Sequence, residues 1–279
     1  MKKIVFLLVA VIVSISLVGS VSFAAKKSKK GSSKKKANIE QKITVKDQIK
    51  NDKAIKMIFD AVSNGDFETT KNLIEDKNVD INSADANGTT LLMKACCNTN
   101  LDLVKYLVEN KADITIVDKQ NYNALMYAIE KSDLAVVRYL FEDSSIDVEQ
   151  LITDKFGLLN LALKNKDLRV LQYLAETQSF DTSLINDKGQ TLLMIAAKLG
   201  NLETVKYLLD KMADVNLKDN DGNNVLMYAV KSGNLDLVEF LVNSAVVDIN
   251  EKNNDNKTAK DIAIENNQVE IAKFLAQKI

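Results

Sequence analysis

Residues 52–279 contain seven segments in which apolar residues recur in one fixed registry. Each segment has an anchor alanine on a first predicted helix and a leucine twelve residues later on a second one. Successive anchors are 33 or 34 residues apart, and a fixed period of this length indicates a repeat architecture. The pattern therefore predicts an all-α solenoid of about seven helix–turn–helix units. The anchors are Ala61, Ala95, Ala128, Ala162, Ala196, Ala229 and Ala263.

Polar residues mark where the predicted helices begin and end. A Thr or Asn stands before five of the first helices, where its side chain suits the capping of free backbone N–H groups. Gly65, Gly200 and Gly233 follow three of these helices and suit a left-handed helix stop. The segments between units are rich in Asn, Asp and Gly, so we expect polar loops or β-hairpins there. The capping residues are Thr90, Asn123, Thr191, Asn224 and Thr258.

Two segments carry a family resemblance. NDKGQTLLMIAAKLGNLETVKYLLDKMADVN (186–216) and KDNDGNNVLMYAVKSGNLDLVEFLV (218–242) resemble the ankyrin repeat, and the likeness extends over about residues 52–279. The resemblance implies an ankyrin-repeat solenoid, whose stacked loops and first helices form a long concave face. The implied units are roughly 52–85, 86–118, 119–152, 153–186, 187–219, 220–253 and 254–279.

The chain departs from the ankyrin pattern in two respects. The slot of the family's His holds Met in four units, and we expect apolar packing to replace the polar network that the family's His makes. In the fourth unit Gly157 occupies the Thr slot, and the segment 153–162 has no clean register, which predicts a kink. The four residues in the His slot are Met93, Met126, Met194 and Met227.

The charges are divided unevenly along the chain. It has 37 basic and 38 acidic residues, and residues 1–51 hold twelve of the lysines but only two acidic residues. Residues 52–279 therefore hold 25 basic and 36 acidic residues, a net charge of −11. A field of this sign repels a phosphate backbone, so we expect no nucleic acid partner.

The composition also limits the chemistry. The chain has no His, which excludes His-dependent nucleophiles and zinc sites of the HExxH type. Phosphate-binding glycine motifs and the GxSxG motif are absent from the sequence. Cys96 matches a buried position and Cys97 a more exposed one; their role stays open, and they supply too few ligands for a metal site. We expect no enzymatic activity, no cofactor and no metal.

The amino terminus has the layout of a secretory signal peptide. Lys2 and Lys3 precede an apolar run, and small residues lead to a predicted cleavage near Ala24, so we expect segment 1–24 to be removed and the protein to be exported to the periplasm or secreted by a bacterium. The alternative is an uncleaved helix that anchors the protein in the membrane. Residues 25–51 form a predicted Lys-rich disordered linker, and its segment Lys26–Lys36 suits weak electrostatic contact with an anionic envelope surface.

The resemblance implies a non-enzymatic module that binds a protein partner, of unknown identity, through its concave face. The alternative is an envelope-associated structural protein tethered by the Lys-rich segment. We expect a monomer, and we expect Tyr122 to be the best single anchor because aromatic residues dominate binding hot spots. The candidate contact residues are Asn87, Thr89, Lys119, Gln120, Tyr122, Glu130, Lys131, Lys188, Gln190, Lys198, Asn220, Asp221, Asn223 and Lys231.

Overall fold

The structure, a computed structural model, describes residues 52–77, 79–143, 146–152, 154–164, 167–178, 180–244 and 247–278. The predicted signal peptide (1–24) and Lys-rich linker (25–51) lie outside these residues.

The described residues form α-helices in seven consecutive pairs and contain no extended strand, which confirms the predicted all-α solenoid. A 3₁₀ turn (Val148–Leu151) precedes the first helix of the fourth pair (Lys155–Leu163), and the second helix of that pair (Arg169–Gln172) continues as a π-helical turn (Tyr173–Thr177). The helices are α1 (52–63), α2 (Phe67–Lys77), α3 (Leu91–Cys97), α4 (Leu101–Glu109), α5 (Ala124–Glu130), α6 (Leu134–Glu142), α7 (Lys155–Leu163), α8 (Arg169–Gln172), α9 (Leu192–Lys198), α10 (Leu202–Asp210), α11 (Val225–Ser232), α12 (Leu235–Asn243), α13 (Ala259–Glu265) and α14 (Val269–Lys278).

The helix ends follow the sequence signals. All five predicted caps accept a hydrogen bond from the backbone N–H three residues later, as Thr191 does from Met194 N at 3.2 Å. Gly65, Gly200 and Gly233 all have positive φ at the turn between the paired helices. The same turn position is left-handed in three further units, where it is occupied by Thr99, Ser132 and Asn267.

The core lies between neighbouring helix pairs along the whole array. All seven anchor alanines and all seven leucines twelve residues after them are buried. Met93, Met194 and Met227 are buried as well, while Met126 is half-buried. Since each pair covers the apolar side of the next, the helices gain most of their stability from inter-unit packing.

Aromatic side chains join successive second helices, as expected from their position one residue before the buried leucine. The hydroxyls of Tyr173 and Tyr207 donate to Glu142 and Glu176 of the preceding unit, at 3.3 and 3.2 Å. The guanidinium carbon of Arg138, also in the preceding unit, lies 5.9 Å from the centroid of the Tyr173 ring. These contacts place polar bonds at the rim of an apolar seam.

Five polar loops before the first helices share one geometry, and we call them the finger loops. In each, the first residue is an Asp or Asn whose side chain accepts hydrogen bonds from the backbone N–H groups of the third and fifth residues. In one loop, Asp118 Oδ1 accepts from Gln120 N at 2.8 Å and from Tyr122 N at 2.9 Å. The finger loops are residues 85–89, 118–122, 186–190, 219–223 and 253–257.

Backbone hydrogen bonds tie neighbouring finger loops into rows. Lys119 N donates to Asn87 O at 2.9 Å, which joins the first two loops. Asn220 N donates to Lys188 O at 2.9 Å, and Asn254 N to Asp221 O at 3.0 Å, which joins the last three.

The fourth unit has no finger loop, so the two rows are separate. Ile152 stands where the other loops begin with Asp or Asn, and no side chain there can accept the loop's N–H groups. Instead α7 begins at Lys155, three residues earlier relative to its anchor than the first helices of the five units with finger loops. Its first residues have no side-chain cap, and Gly157 lies within the helix. The fourth unit is thus irregular through a lost loop and, in the paired helix, a π-helical turn, while the kink itself stays a prediction.

Candidate functional site

A groove lies between the finger loops and the exposed side of the first helices. Between the last two units it forms a cleft of about 640 Å³. Asp221 and Asp255 line the cleft from the finger loops, and Lys231 and Glu265 line it from the first helices. At the third and fourth units the two sides also meet, because Lys164 Nζ lies 3.4 Å from the hydroxyl oxygen of Tyr122.

At the carboxyl ends of the first helices, the second residue after the anchor alanine lines the groove at Lys231 and Glu265, and we call this position in all units the groove register. Lys164 and Glu130 occupy it in adjacent units and form an ion pair at 2.8 Å, so neighbouring members lie side by side. From the second to the seventh unit the groove register is Cys97, Glu130, Lys164, Lys198, Lys231 and Glu265.

Most of the predicted contact residues are accessible. Tyr122, Glu130 and Gln190 are half-buried. The exposed ones are Asn87, Lys119, Gln120, Lys131, Lys188, Lys198, Asn220, Asp221 and Lys231. The part of these residues in partner binding stays a prediction.

The predicted exposure of Thr89 and Asn223 is wrong: Thr89 is 9% exposed and Asn223 is 4% exposed. Both are the fifth residue of a finger loop, where the side chain turns inward to polar groups of neighbouring units. Asn223 Nδ2 donates to the Asp219 carboxylate, and Asn223 Oδ1 accepts from Asn253 Nδ2 at 3.1 Å. The Thr89 hydroxyl bonds to Tyr127 of the next unit. Both residues therefore position loops.

Tyr122 occupies the same fifth position but stays half-buried at the groove. Its ring meets that of Tyr127 edge to face, with centroids 5.4 Å apart. Its hydroxyl receives the Lys164 contact described above. The side chain is therefore held in one place and offers a rigid aromatic edge.

Two tyrosine–aspartate pairs, of which Tyr228–Asp219 is buried and Tyr127–Asp118 is partly buried, fix the finger loops to the first helices. Tyr127 donates to Asp118 Oδ2 at 2.6 Å, and Tyr228 to Asp219 Oδ2 at 2.5 Å. Burial, together with the bond to Asp219, raises the pKa of Tyr228 to about 12. Burial opposes ionisation of Asp219, but hydrogen bonds from Tyr228 and Asn223 outweigh it and lower the pKa of this carboxyl.

These pairs revise the expectation that apolar packing replaces the family's polar network. The buried methionines do pack in the core, but the Tyr–Asp pairs supply polar bonds of a different kind. Gln190 extends one pair across units, because its Nε2 donates to Tyr228 Oη at 2.5 Å. The signal for this network was available in the sequence as a Tyr nine residues after the Asp that opens a finger loop.

Comparison with known proteins identifies the family. A sequence profile described as ankyrin repeats in three copies matches residues 58–152, 158–253 and 212–279. The chain is an ankyrin repeat protein. The ankyrin repeat domain of human ASB11 has a similar structure, with a TM-score of 0.66 at 20% identity, covering 80% of this chain and 97% of that one. At this identity the match speaks for the fold alone, a fold that is typical of protein-interaction modules and generally non-enzymatic.

Two curated proteins match the ankyrin chain over shorter stretches. Palmitoyltransferase akr1 of Schizosaccharomyces pombe is 29% identical over 33% of this chain and 20% of its own length. Alpha-latrocrustotoxin-Lt1a of Latrodectus tredecimguttatus is 32% identical over 27% of this chain and 5% of its own length. The chain thus spans a fifth or less of either relative.

Sequence reasoning missed several residues of the groove, among them Asp255 on the last finger loop. Lys164 and Glu265 belong to the groove register, and Lys257 pairs with Glu265 at 2.8 Å. The register was not extended to the fourth and seventh units because their opening segments diverge. Continuing the 33- or 34-residue spacing would have found Lys164 and Glu265.

Cys96 is buried and Cys97 half-buried, as predicted, and both are free thiols. Among the described residues, no three His, Cys, Asp or Glu side chains come together as a metal site would require. No helix in the described part of the chain has the length and apolar character needed to cross a bilayer.

Proposed function

We propose that residues 52–279 act as a non-enzymatic interaction module that binds a protein partner in the groove. The observation that carries this proposal is the way the finger loops are held. Each loop satisfies its own backbone with an Asp or Asn side chain, and its neighbours are joined by backbone bonds. A partner therefore meets loops that are already ordered, and little conformational entropy is lost on binding.

The exposed residues on these loops supply the polar contacts. Lys119 and Gln120 project from one row of loops, and Lys188, Asn220 and Asp221 from the other. Their backbones are fixed by hydrogen bonds, whereas their side chains remain exposed. Exposed groups on a rigid scaffold are typical of specific recognition surfaces.

Site-specific photo-crosslinking in cells tests the proposal. A photoreactive amino acid replaces Gln120 or Asn220 in the groove, and Glu203 or Glu270 on second helices as matched controls, all four being exposed. We expect both groove positions to capture the same protein, identified by mass spectrometry, and the controls to capture none of it. Equal capture at all four positions, or capture at the controls alone, contradicts binding in the groove.

A further inference from the structure

We propose that the groove binds an acidic segment of the partner protein, whose carboxylates contact Lys198 and Lys231. This inference rests on the proposed function and specifies the chemistry of the segment bound. It follows from the charges of the groove register, in which Glu130 and Glu265 are paired with lysines while, among the described residues, Lys198 and Lys231 are not paired with carboxylates.

The carboxylates of the groove register are already neutralised. Glu130 accepts from Lys164 Nζ at 2.8 Å, and Glu265 accepts from Lys257 Nζ at 2.8 Å. A basic partner would have to displace these lysines before it reached the carboxylates.

The centre of the groove register keeps its positive charge. Lys198 and Lys231 are both exposed. Within the described residues, the side chain of Lys198 has no hydrogen bond or ion pair, and the ammonium of Lys231 lies over the Tyr228 ring, 5.1 Å from its centroid. These two charges therefore form a positive patch in a domain whose net charge is −11. Patches complementary in charge to a partner steer association and fix its register.

An apolar side chain lies beside the positive patch. Leu199 follows Lys198 directly and is 52% exposed. A segment that carries an apolar residue between acidic ones would cover Leu199 while its carboxylates meet the lysines. This combination favours a peptide over a simple anion, because burying the leucine requires apolar contact area.

The opposite wall of the groove argues against nucleic acid. Asp221 and Asp255 line the finger-loop wall of the cleft, and Lys231 lines the first-helix wall opposite them. A phosphate backbone carries a charge on every nucleotide and would meet these carboxylates, whereas a peptide can place its acidic residues on one side only.

The test uses short random peptides displayed on phage and selected on the purified full chain. The recovered peptides are then titrated against the wild type, K198E/K231E and the matched control K71E/K273E. The control makes the same change of charge on second helices. We expect Asp- and Glu-rich peptides that bind K198E/K231E about tenfold or more weakly and the control unchanged, with affinity falling as salt rises. D221K, which removes an acid from the facing wall, should strengthen the same binding.

Other outcomes overturn the inference. Peptides that bind K198E/K231E as well as wild type contact another region, such as the basic segment Lys26–Lys36, and contradict it. A loss of melting temperature in K198E/K231E without a loss of binding would mean that the lysines serve only their helix ends. An oligonucleotide that loses binding in K198E/K231E, when no acidic peptide binds, would replace the inference with a nucleic acid site. If a protein is captured at Gln120 and Asn220 but acidic peptides are not preferred, the proposed function holds and the inference about an acidic segment is wrong.

Discussion

At the scale of single residues, positive φ angles are shared between glycine and residues that disfavour them. Thr99, at φ 57°, and Met212, at φ 63°, stand at helix-end positions where Gly has no steric cost. These two side chains are exposed, Met212 by 89%. The strain is therefore not compensated by buried contacts.

Met212→Gly should stabilise the ankyrin domain by about 1 kcal/mol, because a left-handed conformation costs a residue with a Cβ about that much. Urea unfolding of the variant and the wild type measures the difference. Gly200→Ala serves as the reverse control: its added Cβ would approach no atom closer than 3.4 Å, so the expected loss is a backbone effect. A Met212→Gly variant of unchanged or reduced stability would contradict the argument.

The two Tyr–Asp pairs contribute to the pH dependence of stability. The pKa of Asp118 and Asp219 is lowered, since hydrogen bonds outweigh the opposing effect of burial, so their contribution is present above pH 4 and is lost as pH falls below it. The pKa of Tyr127 and Tyr228 is raised to about 12, so their contribution is present below pH 10 and is lost as pH rises towards 12.

With no His in the chain, the melting temperature should be flat between about pH 6 and 8 and fall below pH 4 and above pH 10. Thermal unfolding across this range measures it. Tyr228→Phe provides the control. In this variant the melting temperature should fall less above pH 10 and should still be constant between about pH 6 and 8. A sharp transition between pH 6 and 8 would contradict this assignment of the titrating groups.

At the scale of elements, we expect the fourth unit to be the least stable part of the array. It lacks a finger loop and the side-chain cap of its first helix, and its second helix contains a π-helical turn. Local opening occurs where few bonds hold an element. We expect amide hydrogens of α7 and α8 to exchange faster than those of α9 and α10 when measured by mass spectrometry; the reverse order would contradict this view.

Gly157→Ala tests whether α7 can be stabilised by a single substitution. The glycine lies within α7, where alanine is favoured by about 1 kcal/mol. The added Cβ would meet the side chain of Asp154, which is exposed and free to turn away. We expect higher stability in urea and slower exchange in α7, and the same change in the exchange of α11 would show that the effect is not local.

Two side-chain truncations should distinguish a residue that stabilises the fold from a residue that contacts the partner. Leu208, on α10, is fully buried, so Leu208→Ala should cost about 2–5 kcal/mol of unfolding free energy. Tyr122→Ala removes a half-buried groove residue and should weaken partner binding while the domain stays folded. Calorimetry on both variants checks this; if Tyr122→Ala melts like the Leu208 variant and binds normally, the assignment of the groove is wrong.

At the scale of the whole molecule, the repeat period made the fold predictable and the groove only partly so. The anchor alanines, the caps such as Thr191 and the glycine stops reflect local chemistry that one sequence displays. Thr89 and Asn223 were misplaced because their burial depends on polar groups of neighbouring units. The sequence also indicates that the fourth unit is irregular. The loss of its loop follows from Ile152, but the structural role of the Asp or Asn that Ile152 replaces is not evident from the sequence.

Processing at the amino terminus stays a prediction for the whole chain. A cleaved signal peptide predicts an exported protein whose mass lacks residues 1–24 and begins at Ala25. Intact-mass measurement on fractionated cells distinguishes this from a full-length membrane species, which would support the uncleaved anchor. Deleting Lys26–Lys36 then tests the predicted contact with an anionic surface, since the deletion should release the protein without altering its melting temperature.

The gap between the two rows of finger loops has a practical consequence for engineering. An added sequence placed directly before Asp154 would interrupt neither row, because among the described residues no backbone hydrogen bond joins this segment to a finger loop. In the units that have a finger loop, the same insertion would separate an Asp or Asn from the N–H groups it holds. The fourth unit is thus the natural location for a fluorescent reporter or an affinity tag within the array.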